Sequence, residues 1–254
     1  HPKIAAELDQ DALQDYLELQ YCLGDKTLFK GVRRLLPGCA LTLEDGELKT
    51  WPYWDMSFAP GTLSEDQVVE KIEFLLDDAV RLRLRSDVPV GAHLSGGLDS
   101  SAIAALAARQ LPFPLQVFTG GFRENERYDE SRYARLVAEK IGADYHQVFP
   151  AAQDLADTFE DLIYYLDEPV AGAAVFPQYF LSKLASEHVK VVLGGQGADE
   201  TFCGYARYLV AYVESCLQKS IYGSAPLVED CDLAAIGANL SYLRGYEPMM
   251  QNQY

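Results

Sequence analysis

The chain has 254 residues, of which 49% are apolar, and its formal net charge is −17. This composition provides enough apolar residues for a packed core and excludes an intrinsically disordered chain. The acidic excess argues against binding to nucleic acid or to an anionic membrane, since both require clustered lysine and arginine. The sequence has no apolar run of membrane-spanning length and no signal-peptide pattern, so we expect a cytoplasmic protein.

The first part of the sequence differs in pattern from the rest of the chain. A short stretch of helical apolar spacing precedes two apolar-containing runs around Glu44-Asp45-Gly46, which is typical of a hairpin. A stretch containing two prolines and a glycine comes next and favours a linker. We therefore expect a small first domain over residues 1–55, a linker over 56–63 and a large domain over 64–254.

Helical patterns alternate with short apolar strands from residue 64 onward. The predicted elements are a helix starting at a capping box over 64–67, a strand over 88–94, a helix over 102–109, a strand over 115–119, a helix over 129–141, a strand over 145–149, helices over 155–166 and 178–188, a strand over 189–193 and a helix ending near 217. This alternation predicts a parallel sheet with crossover helices. Ligands of such sheets bind beyond the carboxyl ends of the strands.

The stretch "LSGGLDSS" stands at the end of the first strand of the large domain. Gly96 and Gly97 permit a tight turn, and the amides of the turn and of the next helix can converge on phosphate oxygens. Ser95, Ser100 and Ser101 add hydroxyl donors. Asp99 would repel a bare phosphate, so its presence argues for a Mg²⁺ ion between carboxylate and phosphates. We infer a pyrophosphate-binding loop; the alternative is an ordinary glycine turn with a serine cap.

A second glycine-rich loop, "GGQGADETFCGY", follows the last predicted strand. Gly194 and Gly195 open it, and Asp199 and Glu200 stand at the start of the next helix. Two aspartates on strand-end loops can share magnesium, whereas two acids at a helix start can also serve only as caps. Together with the first loop, the pattern favours Asp199 as a metal ligand beside Asp99 and leaves the role of Glu200 open.

At these two loops the sequence resembles the asparagine synthetases that use glutamine as nitrogen donor. The first loop is similar to their pyrophosphate-loop signature, and the second to their S-G-E-G-A-D-E-x-F-x-G-Y stretch. "YDES" (128–131), "DEPV" (167–170) and "LLPGCALTL" near the start match in order and spacing. The resemblance implies an α/β fold of the adenine nucleotide alpha hydrolase-like type, with helices on both faces of a parallel sheet. It also implies that a small α+β remnant of a glutaminase domain precedes this ATP-pyrophosphatase domain.

The resemblance implies an ATP-dependent amide ligase. In that family ATP activates the side-chain carboxylate of aspartate as an acyl-adenylate and releases pyrophosphate, and ammonia then gives asparagine and AMP. The implied cofactors are ATP and Mg²⁺, and the implied partners are aspartate and ammonia. Ammonia would come from glutamine through a glutaminase half whose nucleophile is an N-terminal cysteine. None of the five cysteines can be that residue, so we expect no glutaminase activity from this chain.

The family's site residues carry over by position. Pyrophosphate and metal binding fall to Ser95, Gly96, Gly97, Asp99 and Ser100, with Asp199 as a second metal ligand. Contact with the adenosine, largely through the backbone, falls to His93, Gly120, Gly194 and Gly195. Substrate binding falls to Asp167, Glu168, Gln196 and Glu200. Of these residues, the ones expected to be catalytic are Ser95, Asp99 and Gln196.

Departures from the family pattern keep alternatives open. Gln196 replaces a glutamate and cannot act as a base for ammonia, although its amide can orient ammonia or substrate. His93 replaces an aliphatic residue and Gly194 a serine. The alternatives are a related ligase that adenylates another carboxylate, as a beta-lactam synthetase does, or a nucleotide-binding fragment without catalysis. For Asp167 and Glu168 two interpretations stay open: the residues contact the substrate, or they only form a helix end that a proline terminates.

The ends of the sequence and its last clear helix carry two further expectations. The chain starts at His1, and the family's later segment, which has a lysine near the departing phosphates, has no place before Tyr254. We therefore expect a fragment whose synthetase domain is incomplete at its carboxyl end. The helix after the second loop is apolar on more than one face, which is compatible with a homodimer.

Overall fold

The computed structural model describes residues 3, 5–59, 61–121, 129–169, 172 and 174–222. Of the motifs noted above, Tyr128 and Val170 lie outside these residues, as does the sequence after Tyr222. The chain divides into two compact units, His1–Leu193 and Gly194–Tyr254. The predicted boundaries at residues 55 and 64 stay predictions.

A helix and a two-stranded hairpin form in the N-terminal part of the first unit. The helix is α1 (Gln10–Leu19), and the strands β1 (Cys39–Glu44) and β2 (Glu47–Pro52) pair in antiparallel fashion. Asp45 and Gly46 between them have φ values of 51° and 83°. Two consecutive positive φ values give the turn whose twist matches paired strands. The hairpin predicted around this pair is confirmed.

Two helix boundaries lie where local sequence signals predict them. The helix α2 (Glu65–Arg83) begins at a capping box, in which the Ser64 hydroxyl accepts from the Gln67 amide at 3.4 Å and the Gln67 side chain accepts from the Ser64 amide at 3.0 Å. These bonds satisfy amides that the first helical turn leaves unpaired. The helix α4 (Ser131–Ile141) ends at Gly142, whose φ of 66° closes the last turn.

A parallel sheet forms the centre of the first unit. Its strands in the described residues are β3 (Val90–His93), β4 (Gln116–Gly120), β5 (Asp144–Val148) and β6 (Val191–Leu193), in the order β5-β4-β3-β6. The helices between them are α3 (Leu98–Gln110), α4, α5 (Ala152–Leu166) and α6 (Val175–Ser186). The chain runs from β3 outward to β5 and then returns to the other side of β3. Because the strand order reverses at β3, its carboxyl end is where ligands of such sheets bind.

Helices cover both faces of this sheet, as the sequence predicts. Val117 and Phe118 are consecutive, fully buried residues of β4 that point to opposite faces. Val117 packs with Ala104 of α3 and with Ala134 of α4 on one face. Phe118 packs with Ala185 of α6 on the other face. The α/β fold with two helical layers is therefore confirmed.

The described residues of the second unit, 194–222, form two helices where the sequence pattern predicts one. The helix α7 (Ala198–Phe202) ends at Cys203, which has a left-handed φ of 57°, and α8 (Ala206–Tyr222) follows. At Gly204 an added Cβ would overlap a carboxylate oxygen of Asp199, so a larger residue there would displace the Asp199 side chain. The prediction of one continuous helix is wrong because the chain turns at these two residues. Neither α8 nor any other helix in the described ranges has the length and apolar composition needed to cross a membrane.

Candidate functional site

The glycine turn after β3 is shaped by its contact with α4. Gly96 has a φ of 86°, a conformation that side chains rarely adopt. An added Cβ on Gly96 would lie 2.5 Å from the Ala134 amide nitrogen and 2.7 Å from the Tyr133 Cβ. Gly97 then takes up extended backbone as the N-cap of α3. The turn therefore lies directly against the start of α4, and the first residue of the glycine pair cannot be replaced without strain.

Hydroxyl groups tie the two sides of this turn together. The hydroxyls of Ser95 and Ser100 are 2.9 Å apart, and the Ser95 amide donates to the Ser100 hydroxyl at 3.2 Å. The Gly97 amide donates to the Ser95 hydroxyl at 3.2 Å. Ser95 and Gly97 remain exposed, so a ligand can reach them. The structure thus brings the predicted pyrophosphate residues into one preformed, open loop.

Asp99 lies in the first turn of α3 and is half-buried. The positive end of the helix dipole favours a carboxylate at this position. Among the described residues no side chain or amide forms a hydrogen bond or ion pair with this carboxylate. No group of three or more histidine, cysteine or acidic side chains within the described ranges is placed to hold a metal by itself. A single carboxylate without a partner in the described residues, beside the amides predicted to bind phosphate, still fits Mg²⁺, which keeps several of its waters and binds phosphate oxygens directly.

His93 ends β3 and faces α6. The Gln178 side chain donates to His93 Nδ1 at 3.3 Å, whereas His93 Nε2 is buried without a hydrogen-bond partner in the described residues. Burial lowers the pKa of this imidazole, so it is neutral near pH 7. Gly120 ends the neighbouring strand with open space where a Cβ would be. Sequence reasoning missed Gln178, since nothing in a helical pattern shows which strand it covers.

The start of α4 carries polar groups whose place beside the glycine turn the sequence did not reveal. The Asp129 carboxylate accepts from the Ser131 amide at 3.1 Å and from the Ser131 hydroxyl at 3.0 Å. Arg132 donates to the Tyr133 hydroxyl at 2.5 Å, and its guanidinium lies 4.5 Å from the centre of that ring. Since the Tyr133 Cβ adjoins Gly96, the helical turn that carries these groups packs against the predicted pyrophosphate loop.

Glu168 connects the loop after α5 to the N-terminal part of the chain. One carboxylate oxygen accepts from the Leu28 amide at 3.2 Å, and the other forms an ion pair with Arg34. Asp167 ends α5 with a left-handed φ of 62°. Together with Glu168 and Arg34 it borders a shallow cavity of about 430 Å³. Substrate binding by Asp167 and Glu168 stays a prediction. A substrate bound by Glu168 would have to use the lone pairs of its carboxylate oxygens that the Leu28 amide and the Arg34 side chain leave free.

The second glycine-rich loop opens the second unit. Gly197, with a φ of 97°, is the N-cap of α7, and Asp199 and Glu200 lie in the first turn as predicted. Glu200 accepts a hydrogen bond from the Tyr205 hydroxyl at 3.1 Å, and this bond raises the pKa of that hydroxyl. Gln196 lies close to Gly194, since its Oε1 would be 3.6 Å from a Cβ added there. Metal binding shared between Asp99 and Asp199 stays a prediction.

Comparison with known proteins decides the family. The asparagine synthase family matches residues 71–246, a stretch that contains both glycine-rich loops and every strand of the parallel sheet. The chain belongs to the asparagine synthase family. The resemblance predicted from the two loops is confirmed.

Three relatives of this asparagine synthase family chain illustrate the range of similarity. A putative glutamine-hydrolyzing asparagine synthetase of Mycobacterium bovis is 44% identical over 207 residues, which cover 80% of this chain and 31% of the relative. Glutamine-hydrolyzing asparagine synthetase 1 of Bacillus subtilis is 35% identical over 203 residues, which cover 80% of this chain and 32% of the relative. Amidase chyE of Penicillium rubens is 35% identical over 200 residues, which cover 71% of this chain and 30% of the relative. The chain thus spans about a third of the length of these curated relatives.

The predicted site residues of this asparagine synthase family member fall into three groups in the structure. The first group, at the carboxyl ends of β3 and β4, comprises His93, Ser95, Gly96, Gly97, Asp99, Ser100 and Gly120. The second, at the end of α5, comprises Asp167 and Glu168. The third, in the second unit, comprises Gly194, Gly195, Gln196, Asp199 and Glu200. The first group brings together amides, hydroxyls and a carboxylate, which are the kinds of group that can bind phosphate oxygens and Mg²⁺.

Proposed function

We propose that this protein is an ATP-dependent amide ligase that converts aspartate and ammonia to asparagine, with AMP and pyrophosphate as co-products. The observation that carries the proposal is the loop from Ser95 to Ser100, a preformed cradle of amides and hydroxyls at the end of the central strand of the sheet. Membership of the asparagine synthase family supports it.

The proposed roles at the phosphates follow from the donors present. Ser95, Gly96, Gly97 and Ser100 bind the departing pyrophosphate through amides and hydroxyls, and the dipole of α3 adds positive potential. Asp99, whose carboxylate has no partner in the described residues, fits a magnesium ligand, and Asp199 is proposed as the second one. Bound Mg²⁺ would supply neutralisation of the phosphate charge.

The proposed contacts with the rest of the substrates rest on position in the family pattern. Adenosine is proposed to lie against His93, Gly120, Gly194 and Gly195, and the neutral state of His93 avoids placing a charge beside the base. The amino acid and ammonia are proposed to contact Asp167, Glu168, Gln196 and Glu200. The Gln196 amide orients ammonia by hydrogen bonding and does not take up its proton.

The proposed reaction has two steps. A side-chain carboxylate oxygen of aspartate attacks the α-phosphorus of ATP, and the bond to the β-phosphate breaks as pyrophosphate departs into the loop. The amides there stabilise the charge that grows on the leaving group. Ammonia then attacks the acyl carbon, loses a proton to solvent water and displaces AMP as the bond between the acyl carbon and the AMP oxygen breaks, which leaves asparagine.

The whole protein is proposed to combine this chemistry with a source of ammonia. Residues 1–55 are proposed as the end of a glutaminase domain, 56–63 as the linker and 64–254 as the synthetase domain. Glutamine would then provide the ammonia through the glutaminase half. A cytoplasmic location and a homodimer complete the proposal.

A second candidate function is amidation of a different carboxylic acid. Amidase chyE and the synthetase of Bacillus subtilis share the same 35% identity with this chain, so similarity does not identify the acid that this chain activates. Gln196, in place of the family's glutamate, favours the same alternative. Such a ligase would still release AMP and pyrophosphate and would differ only in the acid that it activates.

The test is product analysis with the whole protein. We expect MgATP, ammonium chloride and aspartate to give AMP and asparagine in equal amounts, measured by separating AMP from ADP and assaying asparagine. AMP that appears only with another carboxylic acid would establish the second candidate. ADP as the nucleotide product, or no acid-dependent product at all, would refute both ligases.

Glu168 offers a test of the proposed substrate contacts. We expect Glu168→Gln to raise the KM for aspartate about tenfold at nearly constant kcat, because the loss of a charge–charge hydrogen bond to the substrate ammonium weakens binding. Steady-state kinetics measures this. The matched control Arg34→Met breaks the same ion pair but keeps the carboxylate, so its KM should stay within about twofold.

Both variants should lose little stability, about 1 kcal/mol or less, because the ion pair is partly exposed. An unchanged KM in Glu168→Gln, together with a loss of stability equal to that of Arg34→Met, would show that Glu168 only attaches the N-terminal part to the end of α5.

A further inference from the structure

The pyrophosphate loop contains no cation of its own. Residues 93–101 include neither lysine nor arginine, and Asp99 adds a negative charge. A departing pyrophosphate carries several negative charges, and amide dipoles offset only part of them. Sites for such groups therefore combine amides with a cationic side chain or a metal ion, and arginine suits phosphate through its planar fork of donors.

The element that packs against the loop provides such a side chain. An added Cβ on Gly96 would lie 2.7 Å from the Tyr133 Cβ and 2.5 Å from the Ala134 amide nitrogen, so the first turn of α4 touches the loop. Arg132 immediately precedes these residues. Its guanidinium is held on Tyr133 by a 2.5 Å hydrogen bond to the hydroxyl and by a 4.5 Å approach to the ring centre. The aromatic ring thus holds a positive charge on the same helical turn whose backbone contacts the loop.

Arg132 is available for an anion. It is exposed, and no described carboxylate forms an ion pair with it. Two described acids stand at the entrance of α4: Asp129 already accepts two hydrogen bonds from Ser131, and the N-cap residue Glu130 forms no ion pair with Arg132. Arg135, one turn further along, differs: it donates to the Gln147 side chain at 3.1 Å and lies 4.8 Å from the centre of the Tyr145 ring. Of these two arginines of α4, only Arg132 has no partner among the described residues other than an aromatic side chain.

We propose that Arg132, supported by Tyr133, binds the β- and γ-phosphates of ATP and stays bound to pyrophosphate as it departs. This role rests on the proposed function, because it requires a nucleoside triphosphate in the loop after β3. Arg132 donates two hydrogen bonds to phosphate oxygens and compensates for the negative charge of Asp99. AMP lacks these phosphates, so the proposal separates the binding of ATP and pyrophosphate from the binding of AMP.

The test compares three ligands in calorimetric titrations of the whole protein. Arg132→Met should weaken the binding of MgATP and of magnesium pyrophosphate by about tenfold to a hundredfold, as expected for loss of a charge-assisted hydrogen bond. AMP binding should change by less than about twofold, because the guanidinium does not contact the α-phosphate. Arg132→Lys, which keeps the charge but loses the fork, should lie between Arg132→Met and the wild type.

Arg135→Met is the matched control, since it removes an arginine from the same helix while leaving the loop contact intact. It should leave the affinities for all three ligands unchanged, and thermal unfolding should show that every variant is folded. Equal affinities for pyrophosphate in the wild type and in a folded Arg132→Met variant would overturn the role of Arg132. A uniform loss for all three ligands, AMP included, would also overturn it. A wild-type protein that binds neither MgATP nor pyrophosphate would refute the proposed function itself.

Discussion

Replacing Asp99 with asparagine is expected to lower the rate of aspartate-dependent AMP formation at least about a hundredfold. Asparagine has nearly the same shape but no charge, so it leaves the turn intact and removes the carboxylate that we propose as a magnesium ligand. The half-buried carboxylate has no partner in the described residues, and its loss therefore disrupts no ion pair there. Rates measured over a range of Mg²⁺ concentrations provide the test, since the variant should require more Mg²⁺ than the wild type.

The matched control for this substitution is Asp87→Asn. Asp87 is exposed and precedes β3, at the end of the sheet opposite to the glycine turn. The control changes the net charge by the same amount, and its rate should remain within about twofold of the wild type. A folded Asp99→Asn variant with wild-type rate and wild-type Mg²⁺ dependence would show that Asp99 serves only as a helix N-terminal acid.

Local signals in the sequence predicted much of the fold and the turn after β3. The capping box at Ser64 and the hairpin at Asp45-Gly46 each depend on residues a few positions apart, so the local sequence determines them. Alternating helical and strand patterns predicted a parallel sheet because short connections leave few other topologies. The two adjacent glycines and the serines also gave a local signal for the turn, since only glycine adopts the φ of Gly96 easily.

Contacts between distant parts of the chain were not predictable from the sequence. The Gln178–His93 hydrogen bond joins residues 85 positions apart, and the Arg34–Glu168 ion pair spans 134 positions. No local pattern encodes such pairs, because they depend on strand order and on how α6 packs. The end of α7 was missed for a different reason. Cys203 adopts a left-handed conformation, and cysteine gives no signal for it in the way that glycine or asparagine does.

Replacing Gly96 with alanine is expected to destabilise the protein and to abolish binding of MgATP. The new Cβ would lie 2.5 Å from the Ala134 amide nitrogen, a backbone atom that cannot move without shifting the start of α4. A left-handed alanine adds about 1–2 kcal/mol of strain, and with overpacking the free energy of unfolding should fall by about 2–4 kcal/mol. For a domain of this size that corresponds to a fall in Tm of about 4–16 °C, which calorimetry measures.

Gly97→Ala is the matched control, because the two glycines are neighbours in the same turn. Gly97 has a φ of −70°, and an added Cβ would approach only the Ser95 hydroxyl, at 3.3 Å. The side chain of serine can adjust, so this variant should lose only about 1 kcal/mol, the usual difference between glycine and alanine at an N-cap. Equal losses of stability and of MgATP affinity in the two variants would contradict the close contact between Gly96 and α4. A much larger loss of stability in Gly96→Ala than in Gly97→Ala would mean that the first glycine is required by its packing against α4. The path of the backbone around the phosphates would then depend on a helix that lies more than thirty residues further along the chain.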